Sequence, residues 1–349
     1  MIINEKNGEW FMNNFNSIYP DAEIYQLHKT FRCSQSVVDK SNKVSYNIDK
    51  TTAIAHQDIV GEVHVHPIFL SNVNEVNFVI KKTLEYYNQA IRPSIKILYR
   101  TNAQSLRYQF ELIQRNIPYT IKESCNLFNH KEMKAAFDVC ELILNNETNS
   151  YQKIVKLKHL WNLLIAYPSH YDVSAIFMKS PNLAFNMSSV SSHTDKLFKV
   201  IDSFDKSSIS AILTSFAEMI DNYSFYDYFN DSAVDNLICA SDLFIDCKTI
   251  KECQSVIDKI TVEYDKHRTG EAISLSSIHG SKGLEADIVF LVGVNDDMFP
   301  HKLNEHPREE VNLLYVAMTR ARDILHITGS KFFGTKTFLK HSFIDWIGE

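Results

Sequence analysis

Apolar positions recur along this chain in two rhythms, and the change from one to the other divides it. The first third alternates short strand-like and helix-like segments. Residues 34–47 (SQSVVDKSNKVSYN) carry Val37, Val38 and Val44 at near-helical spacing. Residues 62–70 (EVHVHPIFL) alternate as a strand does, with Val63 and Val65 on one face and His64 and His66 on the other. Residues 74–90 predict a helix and 95–99 (IKILY) a compact strand. A second helix is expected from Ala103 to Arg115, ended by Asn116-Ile117-Pro118.

From Phe128 to Lys266 strand-like runs become rare. Helix-like segments recur at 130–145, 153–166, 208–222 and 249–261, and the polar stretch 186–195 (NMSSVSSHTD) reads as a loop or linker. The remainder returns to mixed structure: Ile273–Ile278 alternates, while Asp287–Gly293 (DIVFLVG) and Asp323–Gly329 (DILHITG) are continuous buried-strand patterns. A helix from Arg308 to Ala321 separates the last two. Strands alternating with helices predict a parallel sheet. The expected architecture is an α/β domain in two pieces, residues 1–125 and 267–349, interrupted by a mostly helical insertion at 126–266.

Composition narrows the class without naming a chemistry. Apolar residues make up 45% of the chain, enough for real cores and unlike a disordered protein. No stretch of about eighteen apolar residues suggests a membrane span, and the N-terminus lacks the apolar run of a secretory signal, so a cytoplasmic location is expected. Cys33, Cys125, Cys140, Cys239, Cys247 and Cys253 are scattered with no C-x-x-C pair, which favours reduced thiols over a disulfide framework or an iron–sulfur cluster. His64 and His66 share a strand face, but a metal would need a third ligand that the pattern does not show. A net charge of −6 confines any contact with DNA to a local groove.

Two segments carry chemistry. Ser277–Glu285 (SIHGSKGLE) is a Gly-rich polar turn between two strands, where backbone N–H groups and short side chains collect at a sheet edge. In it Glu285 can accept from a ribose hydroxyl, and His279 and Lys282 can meet phosphate. A plain surface turn has the same composition. It is not a nucleotide-gripping loop: Lys282 follows Ser281 and precedes Gly283, and G-x-x-x-x-G-K-[ST] occurs nowhere in these 349 residues. The nearest acidic pair after a strand, Asp296-Asp297, reads better as a solvated turn than as a magnesium site. In the second segment, Glu309–Arg322 (EEVNLLYVAMTRAR), Leu313, Leu314, Val316 and Ala317 can face a core while Arg320 projects from the helix end. A fixed guanidinium at a domain edge stabilises charge in phosphoryl transfer. Taken singly, an arginine there is also an ordinary surface residue.

Read together, these segments resemble the UvrD/PcrA/Rep-type superfamily-1 DNA helicases. SIHGSKGLEADIVFLVG is similar to helicase motif V, T-x-H-x-x-K-G-L-E, and EEVNLLYVAMTRAR to motif VI, E-E-R-R-L-x-Y-V-A-x-T-R-A. Gly293–His301 (GVNDDMFPH) resembles G-L-E-E-G-x-F-P-H, Thr30–Ser34 (TFRCS) resembles N-Y-R-S, and Ile97–Ser105 (ILYRTNAQS) resembles L-x-R-T-N-A-Q-S. Asn116–Tyr119 and Phe128–Lys134 follow in family order, and Asp235-Asn236-Leu237 echoes a family R-x-N-L turn. The departures are Val311-Asn312 for a pair of arginines, Ser277 for Thr, Phe31 for Tyr, and Asp297 for a frequent Gly.

The resemblance implies a second RecA-like domain with a helical insertion, the C-terminal half of such a helicase. It places Arg32 and Arg320 as the arginines that reach the γ-phosphate, Phe31 under adenine, and Gly283 and Glu285 at the nucleotide with Glu285 on the ribose. It puts Arg100, Asn102, His279 and Lys282 along a single-stranded DNA path. ATP with Mg2+ would be shared with a first RecA-like domain carrying the Walker A and B elements, on a separate chain. The implied activity is 3′ to 5′ ATP-dependent unwinding, with this chain inactive by itself. The alternatives are a non-enzymatic DNA-binding or regulatory module and a truncated remnant.

Overall fold

The computed structural model describes residues 14–23, 25, 27–46, 52–56, 61–121, 130–145, 199–222, 233–264, 273–301, 307–334 and 336–348. Among them the strands are β1 (Lys29–Thr30), β2 (Ile54–Ala55), β3 (Glu62–Val65), β4 (Phe69–Ser71), β5 (Ile95–Tyr99), β6 (Thr120–Ile121), β7 (Ile273–Ser277), β8 (Ala286–Leu291), β9 (Ala321–Ile327), β10 (Ser330–Phe333) and β11 (Lys336–Thr337). The helices used below are α1 (Gln35–Tyr46), α2 (Asn72–Tyr87), α3 (Ser105–Gln114), α4 (Lys131–Leu144), α5 (Ile209–Asn222), α6 (Ala233–Leu243), α7 (Ile250–Tyr264), α8 (Pro307–Met318) and α9 (Ser342–Gly348).

Six strands form one sheet in the order β3-β9-β8-β5-β7-β6, with every pairing parallel. Parallel pairing needs crossovers that cover both faces, so the central strands are apolar on both sides. Leu98, Val289, Leu291 and Leu325 point to one face, where Val37, Val38, Leu314 and Phe343 from α1, α8 and α9 cover them. Ile95, Ile97, Ile288 and Phe290 point to the other, under Val76, Ile80, Tyr108 and Leu112 of α2 and α3. This is the α/β, RecA-like arrangement that the sequence pattern and the resemblance predict.

Between β6 and β7 the described residues are helical. α4, α5, α6 and α7 share a separate core that includes Val139, Phe216, Leu237 and Ile257, and it reaches the α/β part through Ala103, Leu106, Met298 and Phe333. The expected division points near 126 and 266 fall outside the described residues, as do the expected helix at 153–166 and the polar stretch at 186–195.

Two local expectations need correction. The single strand at 62–70 is two strands in different sheets: β3 pairs with β9, and after a break at 66–68 β4 pairs with β10. Pro67 lies in that break, where it has no ladder N–H to offer. Asp235-Asn236-Leu237 is no turn but part of helix α6, buried throughout. The hairpin of β10 and β11 and the closing helix α9 have no counterpart in the sequence reading. The end of α3 behaves as expected, with Asn116 in the left-handed region at φ 53.

The helical part meets the sheet through a buried polar seam. Asn72 Nδ2 donates to Asp242 Oδ2 at 2.6 Å, and the Gly334 N–H donates to Asp242 Oδ1 at 3.3 Å. Arg107 Nη1 donates to the carbonyls of Asp242 and Leu243 at 3.2 and 3.4 Å. Burial pushes the Asp242 carboxyl above the usual range, against the pull of Arg107. Glu75, wholly buried in α2, accepts from Gly293 N–H at 2.8 Å and from the Thr328 hydroxyl at 2.6 Å, which fastens α2 to the strand ends.

Candidate functional site

Because all six strands run the same way, the sheet has one amino edge and one carboxyl edge. The sequence-assigned nucleotide residues collect at the amino edge of β8 and β9. Glu285 immediately precedes β8, Arg320 immediately precedes β9, and Phe31 and Arg32 follow β1. Cross-links draw these segments together: Ser34 N–H donates to the Arg322 carbonyl at 2.7 Å, and Ala286 N–H donates to the Arg320 carbonyl at 3.0 Å.

Arg32 Nε donates to Glu285 Oε2 at 2.6 Å and Arg32 Nη1 to the Thr319 carbonyl at 3.3 Å. The other carboxylate oxygen, Glu285 Oε1, is held by Arg322 through Nε at 3.1 Å and through Nη2. Arg322 Nη1 continues to Asp287 Oδ1 at 3.2 Å, and Asp287 Oδ2 is capped by the Ser94 N–H and hydroxyl at 2.7 and 2.8 Å. The result is a charge ladder, Arg32–Glu285–Arg322–Asp287, along one sheet edge. Hydrogen bonds from Arg322 and then Arg32 hold the Glu285 carboxyl below the usual carboxylate range.

Arg320 is set differently. Its side chain lies back against the protein, with Nε donating to the Val316 carbonyl at 3.0 Å and Nη1 to the Leu284 carbonyl at 3.3 Å. Burial, and then the like charge of Arg32, lowers its pKa from the usual guanidinium value. A guanidinium stays charged in any protein setting, so the site holds two neighbouring positive groups, one fixed on carbonyls and one on a carboxylate. Beside them the Phe31 ring is 66% exposed and leans on His56 with centroids 4.2 Å apart. Burial also pushes the Cys33 thiol up, away from the reactive thiolate.

These groups fit a nucleotide: an open aromatic face, a carboxylate able to accept from hydroxyls, and guanidinium groups for phosphate. A magnesium ion finds less. Among the described residues no group of three or more His, Cys, Asp or Glu is placed to hold a metal. Asp296 is engaged elsewhere, accepting from the Ser342 N–H at 2.8 Å and hydroxyl at 2.5 Å at the start of α9. Asp297 has φ 77, the left-handed conformation that a glycine would take without strain.

Three of the four residues assigned to a nucleic-acid path lie at the opposite edge. Arg100 follows β5, Asn102 opens the short turn that leads into α3, and His279 follows β7. The segment Ser277–Glu285, expected as a turn at a sheet edge, belongs to both edges. It starts at the carboxyl edge, with Ile278 N–H on the Tyr99 carbonyl at 2.9 Å, and ends at the amino edge with Glu285. It crosses the sheet through turns, with exposed Lys282 and Gly283 between and Gly283 at φ 80.

Arg100 is not splayed toward solvent. Its guanidinium is paired with Glu310 of α8, with Nη2 to Oε1 at 2.8 Å and Nε to Oε2 at 3.1 Å, and the Glu310 side chain is 1% exposed. Glu310 Oε2 also accepts the His301 N–H at 3.0 Å, and His301 Nε2 lies 2.7 Å from Asp235 Oδ2 in α6. Arg100 thus ties β5, α8, the 293–301 loop and the helical part together. Nearby, Gly293 has φ 64, and a Cβ there would come within 2.3 Å of Gln104 Nε2. The Gln104 side chain accepts from the N–H groups of Arg100 and Thr101, both at 2.9 Å, so the close approach fixes the loop.

Arg322, Glu310, Glu75 and Asp242 were given no role from the sequence. The signal for Arg322 is the β8–β9 register, Ala286↔Ala321 and then Ile288↔Ile324, whose extra residue in β9 sets Arg322 beside Glu285 and Asp287. No single-sequence pattern gives that register. His64 and His66 gain a third histidine, His326, but the nitrogens face one another: His66 Nε2 lies 2.9 Å from His326 Nδ1, and Tyr86 Oη lies 2.9 Å from His326 Nε2. The His326 ring is stacked between His64 and Phe290 at 4.7 and 4.6 Å. Burial lowers His66 to about 4 and His326 to about 3.

Comparison with known proteins finds a family match and related chains. The UvrD-like helicase C-terminal domain family matches residues 25–161 and 191–331. The ATP-dependent DNA helicase PcrA of Staphylococcus epidermidis strain RP62A is 25% identical over 356 aligned residues, covering 91% of this chain and 48% of that protein. PcrA of Staphylococcus aureus strain Mu50 is 24% identical, covering 90% of this chain and 48% of its own length. The chain thus spans about half the length of the curated relatives it matches.

Proposed function

The chain belongs to the UvrD-like helicase C-terminal domain family, and from that membership we propose that it is the arginine-supplying part of an ATP-dependent DNA helicase or translocase. The observation that carries this reading is the meeting of Arg32, Glu285 and Arg320 beside an exposed Phe31 at one sheet edge. A module that only bound DNA, or only regulated another protein, would have no use for that set.

In this reading ATP with Mg2+ supplies the phosphoanhydride, held by the Walker elements of a first RecA-like domain on the same or another polypeptide. The present chain contributes the facing wall. Phe31 offers a ring face to the base, Glu285 accepts from the ribose, and Gly283 gives the turn before Glu285 its left-handed backbone. Arg32 and Arg320 bring positive charge to the transferring phosphoryl group. Arginine supplied across a domain boundary stabilises transition-state charge and is worth about 10³–10⁵ in rate. Without the nucleotide-gripping loop, the 349 residues alone hydrolyse ATP poorly.

Asn102, His279 and Lys282 provide the nucleic-acid side, with contacts to phosphate that are sequence-tolerant and salt-sensitive. Arg100 belongs to that edge through Glu310, as a positioning residue. The segment 277–285 runs between the two edges. A 3′ to 5′ direction of movement rests on the family resemblance.

The test is ATP hydrolysis with and without single-stranded DNA, by this chain alone and with a first RecA-like domain carrying G-x-x-x-x-G-K-[ST]. The expected result is hydrolysis only in combination, stimulated by DNA. Robust hydrolysis by the highly purified chain alone contradicts the reading. Failure of every such domain to restore activity favours a binding or regulatory module.

A further inference from the structure

The ladder at the amino edge turns Arg32 toward a carboxylate, with Nη1 also on the Thr319 carbonyl at 3.3 Å. Its Nε is committed to Glu285 Oε2 at 2.6 Å. We propose that Glu285 is a latch on Arg32 and that Arg322 is the positioning residue that makes the latch releasable. On this proposal the face selects ligands that carry ribose hydroxyls beside their phosphates over bare polyphosphate. The proposal rests on the nucleotide reading above and adds a specificity rule to it.

The two carboxylate oxygens of Glu285 are used differently. Oε2 serves Arg32, while Oε1 serves Arg322 through two N–H groups. Both the Arg32 and the Glu285 side chains are about one-third exposed, at 34% and 33%. An ion pair that wet is held weakly and can exchange partners. When Arg32 leaves, Glu285 does not become an uncompensated charge, because Arg322 keeps the other oxygen. Arg322 is itself braced by Asp287, whose second oxygen is capped by Ser94.

What can replace Arg32 on Oε2 is a hydrogen-bond donor. A ribose hydroxyl is one, and it restores the lost bond as the guanidinium turns to phosphate. Fully ionised polyphosphate has only acceptor oxygens and negative charge. It must take Arg32 from a carboxylate and leave Oε2 unserved, with the two anions facing each other. Arg320 stands outside the ladder, buried with its Nε and Nη1 on backbone carbonyls, so no carboxylate latches it.

The experiment reads Arg32 directly. Phenylglyoxal modifies accessible arginines, and the rate at Arg32 is followed by peptide mass spectrometry of the folded chain, with Arg92 as internal reference and circular dichroism as a check on folding. Glu285→Gln, which keeps the shape and removes the charge, is expected to raise the Arg32 rate several-fold. Arg322→Gln is expected to lower it, because both oxygens become available to Arg32, and Arg322→Lys to restore it toward the wild-type value. Inorganic tripolyphosphate is expected to protect Arg32 in Glu285→Gln but not in wild type at the same concentration. An unchanged Arg32 rate in Glu285→Gln overturns the latch, and so does equal protection of both proteins by tripolyphosphate. ATP should slow labelling in both proteins. If it slows neither, the nucleotide reading fails, while the Glu285→Gln rate still decides the latch by itself.

Discussion

Two arginine–carboxylate pairs stand at opposite edges of the same sheet, and their difference separates working parts from framework. Arg32 and Glu285 meet where both are one-third exposed, with Arg322 ready to take over the carboxylate. Arg100 and Glu310 meet where the glutamate is 1% exposed and the His301 N–H also converges on it. The chemistry is the same and the surroundings are not. A wet pair costs little to break and can change partners; a buried pair cannot be broken without stranding a charge. The first suits a group that must turn to a ligand, the second a joint between β5, α8 and the helical part.

The largest expected effect tests the buried pair. Arg100→Ala should cost about 3–5 kcal/mol of stability, read from urea unfolding midpoints, because Glu310 keeps its burial and loses its counter-ion. Replacing both, as Arg100→Met with Glu310→Leu, should recover much of that loss. A single Arg100→Ala substitution within about 0.5 kcal/mol of wild type would put the two pairs in one class and erase the contrast, since ordinary surface changes fall in that range.

A smaller effect comes from acid. His66 and His326 have pKa values of about 4 and about 3, against 6.5 for a free histidine, so the folded state keeps them neutral where the unfolded chain binds protons. A histidine with a depressed folded-state value contributes its full stability above about pH 6.5 and loses it as pH falls toward the folded values. The melting temperature should therefore hold near neutrality and fall progressively from about pH 6 toward pH 4. His326→Leu should flatten that limb. An unaltered acid limb in His326→Leu would mean that other groups set it, such as the carboxylates of the amino-edge ladder.

The smallest effect on stability belongs to the wet ladder. Glu285→Gln and Arg322→Gln should each change unfolding by less than about 1 kcal/mol. A loss as large as that of Arg100→Ala would make the ladder framework and leave Arg32 no freedom to exchange.

The sheet strands, the helices flanking them and the family blocks were legible because a buried parallel strand is a run of apolar residues, as in Asp287–Gly293, and because motif spacing survives translation into loops. Phe31, Arg32, Glu285 and Arg320 can therefore be singled out from the motif blocks alone. What sequence could not supply was register and direction. The extra residue in β9 that sets Arg322 against Glu285 leaves no mark in the pattern. Nor does the passage of 277–285 from one sheet edge to the other, since a polar turn between strands looks the same whether it stays at an edge or crosses. Helix α6 was read as a turn at Asp235 because burial on every side erases the amphipathic period that announces a helix. The sharp break at Pro67 is hidden in the sequence because the apolar run Ile68-Phe69-Leu70 beyond it reads as a continuation of the strand begun at Val63 and Val65.

The central claim is that the amino edge supplies charge for ATP hydrolysis and is separable from the edge assigned to nucleic acid. The direct measurement is DNA-stimulated ATP hydrolysis by Arg320→Ala together with a first RecA-like domain, set beside single-stranded DNA binding by the same protein. The account predicts a fall in hydrolysis of about a thousandfold or more with DNA affinity nearly unchanged. Hydrolysis within a few-fold of wild type, or an equal loss of hydrolysis and DNA binding, would contradict it.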